Sequence, residues 1–129
     1  MIIAYDDSDG WYDHQAPRIV NHSNTVGDAS ICTGAPSLGS AQGRCGYGPR
    51  RSLLVVSRFA KPNFVDHTVT DQSSILRFIE DNSNLGRISE DSFDERAGSL
   101  ANMFDFDRPR DGKLFLDPAT GERLNDGDD

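Results

Sequence analysis

Residues 2–14 read IIAYDDSDGWYDH, and this stretch places four aspartates directly after a short apolar run. An apolar run that ends in acid is typical of a buried strand whose end carries the chemistry, as in open α/β sheets. Asp6 and Asp7 can converge on a hard divalent cation, because oxygen ligands suit Ca²⁺, Mg²⁺ or Mn²⁺. The stretch therefore predicts a strand over 2–5 that leads into a metal or catalytic site. An acidic surface turn is the alternative, since aspartate and glycine are common turn residues.

The overall composition limits the possible partners. The chain has 129 residues and a formal net charge of −8, from 21 acidic and 13 basic side chains. This length corresponds to one domain at most. An acidic chain repels nucleic acid and anionic membranes and attracts cations, which argues against nucleic acid as a partner. No apolar run approaches the ~18 residues of a membrane span, and the N-terminus does not resemble a signal peptide.

The two cysteines, Cys32 and Cys45, lie in a stretch over 15–50 that is rich in Gly, Ser, Pro and Asn. This stretch has little apolar periodicity, so we interpret it as a long excursion rather than a packed element. A disulfide would stabilise the loop by about 3 kcal/mol on the loop-entropy model, and it would imply an oxidising compartment. Two unrelated thiols fit the residues equally well. The spacing argues against a structural zinc site.

One further strand and one helix have clear signals. The sequence SLLVVS over 52–57 is continuous and β-branched, which predicts a fully buried strand. A helix is predicted over 71–82, with Thr70 or Asp71 as its cap. Its apolar stripe consists of Ile75, Leu76 and Ile79. The acidic end of this helix opposes the helix dipole, so tertiary contacts must stabilise that end.

A second helix is predicted to begin after Ser92, because Ser92–Glu95 fits a capping box. Apolar residues then recur at helical spacing, at Ala97, Leu100, Met103 and Phe104. Disorder is predicted for the acidic tail over 125–129. Two strands and two helices do not close a sheet, because a fully buried strand needs neighbours on both sides. The chain therefore reads as part of something larger.

Five segments together resemble the bacterial phosphoesterase family, which contains non-specific phospholipases C and acid phosphatases and belongs to the alkaline-phosphatase superfamily. They occur here in one order: YDDSDGWYDH, GRCGYGPR, LLVVSRFAKPNFVDHTVTDQSSILRFIEDN, SFDERAGSLANMFDF and LFLDPATG. The resemblance covers residues 2 to about 124. It implies an α/β fold, here a partial three-layer sandwich of the alkaline-phosphatase-like type with an incomplete sheet and flanking helices. Residues 1–124 would be the C-terminal portion of that domain.

The resemblance also implies roles for particular residues. Asp6 and Asp7 match the acidic pair that contributes metal ligands in the family. Asp9, Asp13 and His14 fall in the same motif, as candidates for positions beside the metal or the phosphate. His67 is expected to hold structure between a strand and a helix. The GRCGYGPR segment favours a Cys32–Cys45 disulfide, since the same loop in secreted relatives looks stapled.

The implied activity is hydrolysis of phosphoric ester bonds, of the phospholipase C or acid phosphatase type, with one divalent metal (Ca, Mg, Mn or Zn) as cofactor. The substrate of the full-length family is a phosphate ester or phospholipid, and its compartment is periplasmic or secreted. No serine here matches the family's nucleophile, and its Glu-Asn metal pair is also absent. We therefore expect weak metal binding, little or no activity from this chain by itself, and an upstream fragment of the same enzyme as a partner. The alternative is a non-enzymatic acidic module that binds a cation or a protein.

Overall fold

The computed structural model describes residues 1–20, 26–27, 32, 45–90 and 92–124. The predicted disordered tail over 125–129 lies outside the described residues, as does most of the excursion over 15–50. The described part forms a small α/β arrangement with the element order strand, strand, helix, helix and 3₁₀ turn. None of the helices in this part of the chain is long and apolar enough to cross a bilayer.

Strand β1 (Ile2–Ala4) pairs with strand β2 (Leu53–Val55) in a two-stranded antiparallel sheet. Ile3 lies opposite Leu54, and bonds between Met1 and Val56 extend the ladder at 2.8 and 2.9 Å. Both predicted strands are confirmed, with shorter bounds than the sequence indicated. The apolar, β-branched composition of the two runs explains why they pair.

The predicted burial of these strands is wrong for the described residues. Ile3 is 46% exposed and Leu54 is 56% exposed. A two-stranded ribbon can bury only the face that another layer covers, and the described residues place no layer on the face of Ile3 and Leu54. The sheet is antiparallel, whereas the open α/β sheets that suggested a buried strand are mostly parallel.

Helix α1 (Ser73–Ser83) confirms the helix predicted over 71–82. The predicted cap, Thr70 or Asp71, is wrong, because the N-cap is Gln72, but Asp71 still supports the first turn. The Asp71 carboxylate accepts hydrogen bonds from the Ser73 amide, at 2.8 Å, and from the Ser73 hydroxyl. The Ser74 hydroxyl in turn accepts from the Asp71 amide at 3.0 Å. These bonds satisfy backbone donors that a helix start otherwise leaves unpaired.

The apolar stripe of α1 is only partly as predicted. Ile75 and Leu76 are half-buried, but Ile79 is 50% exposed, so its assignment to the buried face is wrong. The side chain that packs instead is Phe78, which stacks on Phe104 with ring centroids 4.8 Å apart. Successive side chains of a helix are about 100° apart around its axis, so Phe78 and Ile79 lie on different faces and only one of them packs.

The acidic end of α1 is neutralised from outside the helix, as predicted. Arg87 forms ion pairs with Glu80 at 3.2 Å and with Asp81 at 2.6 Å. Asn84 adopts the left-handed conformation (φ 52°), and the Leu85 amide donates to the Glu80 carbonyl at 2.9 Å. This is the Schellman pattern of helix termination, which asparagine can adopt.

The second helix is much shorter than predicted. Helix α2 is a single turn, Phe93–Arg96, and a 3₁₀ turn over Ala101–Met103 follows it. The predicted capping box is also wrong, because the Ser92 hydroxyl donates to the Ser89 carbonyl at 2.6 Å instead of capping the helix.

Tertiary contacts explain this early end. The Arg77 guanidinium donates to the carbonyls of Glu95 and Ala97, which pulls the chain out of the helical path. Gly98 then lies against Val69, where an added Cβ would stand 2.0 Å from the Val69 carbonyl oxygen. A residue with a side chain could not make this approach, so the chain crosses residue 69 at a glycine.

The core around these elements is small. Ala97 and Leu100, two residues of the predicted apolar stripe, are each only 1% exposed. Four phenylalanines form a series of ring contacts, in the order Phe78, Phe104, Phe106 and Phe59, of which Phe106 is 54% exposed. The core that the described residues form is therefore small for a chain of this length.

The described ends of the 15–50 excursion meet each other. The Val20 amide donates to the Cys45 carbonyl at 2.7 Å, beside a bridge between Ile19 and Gly46. Cys45 is joined to Cys32 by a disulfide, with Cα atoms 5.3 Å apart. These contacts bring the segment after Cys45, which includes Arg50 and Arg51, back alongside the acidic stretch after β1.

Candidate functional site

The acidic stretch after β1, residues 6–13, contains a tight turn at Ser8–Trp11 and is here called the acidic turn. Asp9 (φ 49°) and Gly10 (φ 80°) both have positive φ, and the Trp11 amide donates to the Ser8 carbonyl at 2.9 Å. Two successive positive φ values define a type I′ turn, for which Asp-Gly is a favoured sequence. The Asp7 carboxylate accepts a hydrogen bond from the Asp9 amide, which fixes the start of the turn.

Two side chains from elsewhere in the chain hold the end of β1 in place through its backbone. The Asp6 carbonyl accepts from Arg51 at 2.5 Å and from the Gln72 amide group at 2.8 Å. Gln72 also donates to the Tyr5 carbonyl at 3.1 Å. These contacts occupy only the backbone, and no described residue donates to the Asp6 carboxylate. Asp6 is also exposed to solvent.

Asp13 is fully engaged by Arg50. Its carboxylate accepts from the Arg50 backbone amide at 2.8 Å and from two guanidinium nitrogens at 2.8 and 3.0 Å. The Gln15 amide adds a fourth bond at 3.0 Å. The Arg50 guanidinium, followed by the backbone bonds, holds the pKa of Asp13 well below its usual range. This carboxylate therefore fixes the base of the loop and has little capacity left for a metal.

The described residues fit a metal only in part. Asp6 and Asp7 offer adjacent, exposed carboxylate oxygens, which are donors of the kind a hard divalent cation prefers. However, among the described residues no three His, Cys, Asp or Glu side chains come together as a candidate metal site. Asp9 lies within the turn, and the His14 ring packs edge-on against Tyr12 at 5.2 Å. The predicted residues thus share one turn without forming a complete ligand set.

Two arginines of the site, Arg50 and Arg51, are not among the site residues predicted from the sequence. In the structure they line a cleft of about 530 Å³ together with the acidic turn. The residues around this cleft are Tyr5, Asp7, Ser8, Trp11, Tyr12, Asp13, Pro49, Arg50, Arg51 and Ser52. The available signal was an Arg-Arg pair shortly before the strongest strand, whose first member, Arg50, is the last residue of the GRCGYGPR segment.

His67 was expected to hold structure between a strand and a helix, but the neighbouring Asp66 makes the contacts described for this role. His67 is exposed, whereas the Asp66 carboxylate accepts from the Thr68 amide at 3.1 Å, the Thr68 hydroxyl at 2.9 Å and Asn102 at 3.1 Å. Burial opposes the charged form of Asp66, but these hydrogen bonds outweigh it and lower its pKa. Asp66 therefore ties the segment before α1 to the 3₁₀ turn.

Comparison with known proteins relates this chain to bacterial lipid-cleaving enzymes. The Phosphoesterase family matches residues 1–86, which include the acidic turn, β2 and α1. The chain is 33% identical, over 124 residues, to a non-hemolytic phospholipase C of Burkholderia pseudomallei (strain K96243). It is 30% identical over 120 residues to a hemolytic phospholipase C of Pseudomonas aeruginosa. It is 26% identical over 132 residues to a non-hemolytic phospholipase C that is also from Pseudomonas aeruginosa.

These matches cover most of this chain but only a small part of each relative. They cover 84%, 91% and 95% of this chain, but only 17%, 16% and 19% of the three relatives. The chain thus spans less than a fifth of the length of the curated relatives it matches. Because the family match covers well over half of the chain and includes the acidic turn, the chain belongs to the phosphoesterase family.

Proposed function

We propose that this chain is part of a hydrolase that acts on phosphoric ester bonds, of the phospholipase C type. The observation that carries the proposal is the family match over residues 1–86, since it spans the acidic turn and both elements that hold the turn in place. We take the parent domain to be an alkaline-phosphatase-like α/β sandwich of which this chain is the C-terminal portion. The exposed apolar face of the β1–β2 sheet supports that view, because a further layer would cover it.

The proposed role of the acidic turn is to supply part of a metal site. Asp6 and Asp7 would provide two oxygen ligands, while Arg51 and Gln72 fix the backbone from which Asp6 projects. A divalent metal bound in such a site polarises a phosphoryl oxygen. The remaining ligands and the nucleophile would come from segments outside these 129 residues, so we derive no catalytic step within this chain.

The Arg50–Asp13 pair has a positioning role in this proposal. It ties the end of the acidic loop to the segment that enters β2, over a separation of 37 residues. Because Arg51 follows Arg50 directly, the same pair sets where Arg51 meets the Asp6 carbonyl. Catalysis needs the participating groups held in fixed positions, and these contacts fix the backbone of both segments relative to each other.

A chimera tests the proposed function. The segment of the Burkholderia pseudomallei phospholipase C that matches this chain is replaced by these 129 residues, and hydrolysis of phosphatidylcholine and p-nitrophenyl phosphate is measured. We expect activity on at least one substrate, and loss of about 100-fold or more with Asp6→Ala, as for a displaced metal ligand. Glu122→Ala, an exposed acid far from the turn in sequence, is the matched control. An inactive chimera that folds, or equal losses in both variants, would contradict the proposal.

A further inference from the structure

The acidic turn carries two large aromatic side chains that project into solvent. Trp11 and Tyr12, here called the aromatic tip, are each 81% exposed. Trp11 is also the only tryptophan of the chain. Tryptophan and tyrosine combine a large apolar ring with one polar group, so both are normally well covered in a folded protein. Two adjacent rings with this exposure form an apolar surface that a partner can cover.

The aromatic tip is presented on a fixed support. The type I′ turn at Asp9 and Gly10 precedes it, and the Asp13–Arg50 pair follows it directly. The Tyr12 ring also contacts the His14 ring, edge-on at 5.2 Å. A surface held in this way loses little conformational entropy on binding, which favours a recognition role over a flexible loop.

We propose that the aromatic tip is an interfacial anchor that seats the protein on a zwitterionic phosphatidylcholine bilayer. The indole N–H and phenol O–H can stay among the headgroups while the rings enter the boundary with the acyl chains, the position these residues favour in membranes. The inference rests on the proposed function, since it takes a phospholipid as the substrate. It adds a means of reaching the lipid surface that is separate from the catalytic chemistry.

The charges around the aromatic tip favour a zwitterionic surface over an anionic one. Asp6, Asp7 and Asp9 lie directly beside the tip, and the chain as a whole carries a net charge of −8, so an anionic bilayer is repelled. Arg51 lines the same cleft and bonds to a neutral carbonyl, with no carboxylate partner among the described residues. Its positive charge can therefore meet a lipid phosphate while the aspartates face the positive end of the headgroup.

Vesicle binding by the 129-residue chain tests this inference, with Trp11 as its own probe. On addition of phosphatidylcholine vesicles, we expect the tryptophan emission to shift to the blue and the chain to float with the vesicles. Anionic phosphatidylglycerol vesicles should bind less of the chain than phosphatidylcholine vesicles do. The double variant Trp11→Ala/Tyr12→Ala should partition about tenfold more weakly or worse, because it loses both buried rings. Phe115→Ala, a 52% exposed aromatic outside the site, is the control and should bind like the parent chain.

Three outcomes would overturn the inference. The first is the absence of both an emission shift and flotation. The second is equal binding by the parent chain and the double variant, which would indicate general adhesion of apolar surface. The third is a blue shift that grows with protein concentration before lipid is added, since a second copy would then cover the aromatic tip. None of these readings involves turnover, so failure of the anchor and failure of the phosphoesterase proposal remain distinguishable.

Discussion

At the residue scale, Asp13 illustrates how one carboxylate can organise a loop. Its two oxygens take four hydrogen bonds, three of them from Arg50, so its charge is compensated within the loop. Asp6 shows the opposite arrangement, since its backbone is fixed while its carboxylate has no donor among the described residues. One acidic stretch thus contains both a structural carboxylate and a carboxylate available for binding, and only their partners distinguish them.

The lowered pKa of Asp13 makes a prediction about pH. Because folding lowers this pKa, the unfolded chain binds the proton at a higher pH than the folded chain does. The stabilisation from Asp13 is therefore complete well above the ordinary carboxyl pKa of about 3.9, declines as the pH falls below it, and is lost below the folded-state pKa. The carboxyl ¹³C signal of Asp13 should accordingly titrate well below pH ~3.9 in the folded chain.

The variant Asp13→Asn extends this test. It should loosen the loop at neutral pH, seen as faster amide exchange at Arg50, and the difference from the parent chain should shrink in acid. Asp111→Asn is the control, because Asp111 also pairs with an arginine but is 84% exposed. An Asp13 signal that titrates near the ordinary carboxyl value would contradict the described geometry.

At the element scale, α1 depends on residues outside its own sequence. The buried Glu80 and the exposed Asp81 both lie in its last turns, and Arg87 neutralises them from the following loop. Removing one partner of a buried ion pair leaves an uncompensated charge, which costs more than losing a surface pair. The stability of the helix end is therefore a property of Arg87 more than of local helix propensity.

Substitution of Arg87 tests this dependence. In Arg87→Met, amides in the last turns of α1 should exchange about tenfold faster or more, because Glu80 stays buried without a cation. Arg58→Met is matched to it in chemistry, but the Arg58 partner, Asp111, is on the surface. That control should change exchange at α1 very little. Similar effects of the two substitutions would show that Glu80 is not held by Arg87.

The crossing of Gly98 over residue 69 gives a second prediction for this element. A Cβ at Gly98 would stand 2.0 Å from the Val69 carbonyl oxygen, so Gly98→Ala must displace backbone. We expect a loss of about 1–3 kcal/mol in the free energy of opening at the amides around α2, as for other overpacked sites. Gly112→Ala is the control, since nothing lies within 4 Å of its added Cβ. Unchanged protection in Gly98→Ala would mean that the chain does not cross residue 69 this closely.

Local signals made the elements predictable, and tertiary contacts limited the prediction. The position of helix α1 was predicted to within two residues at each end, because its apolar spacing is a signal in its own sequence, although its end is stabilised by Arg87 from outside. The length of α2 was not, because Arg77 and Gly98 end the helix through contacts with other segments. The same limit applies to the site, where Asp6 and Asp7 follow from strand-end chemistry but Arg50 meets Asp13 across 37 residues.

At the scale of the whole molecule, one face of the sheet has no cover among the described residues. Alternation along the strands places Ile3 and Tyr5 on the same side as Leu54 and Val56, and all four are between 46% and 64% exposed. An uncovered face of this kind is unfavourable in water, and a two-stranded sheet is marginal without further packing.

The isolated chain should consequently fold with low cooperativity. We expect a broad thermal transition in circular dichroism and strong binding of a hydrophobic dye, as for chains with exposed apolar surface and loose packing. Reduction of the Cys32–Cys45 disulfide should broaden the transition further, since it removes a covalent link that restricts the unfolded chain. A sharp transition with little dye binding would instead favour the non-enzymatic acidic module, which has to be stable by itself.

The affinity of the acidic turn for a divalent metal also distinguishes the phosphoesterase fragment from the non-enzymatic acidic module. Two exposed carboxylates from one turn bind a divalent cation only weakly, because strong sites assemble six or more oxygen ligands. For the isolated chain we therefore expect Ca²⁺, Mg²⁺ or Mn²⁺ affinities in the millimolar range or weaker, read from amide shifts of Asp6 and Asp7. Asp6→Ala should abolish those shifts, and Glu122→Ala should leave them unchanged. Micromolar affinity would mean that this chain holds a complete site by itself, and the proposal of ligands from other segments would then be wrong.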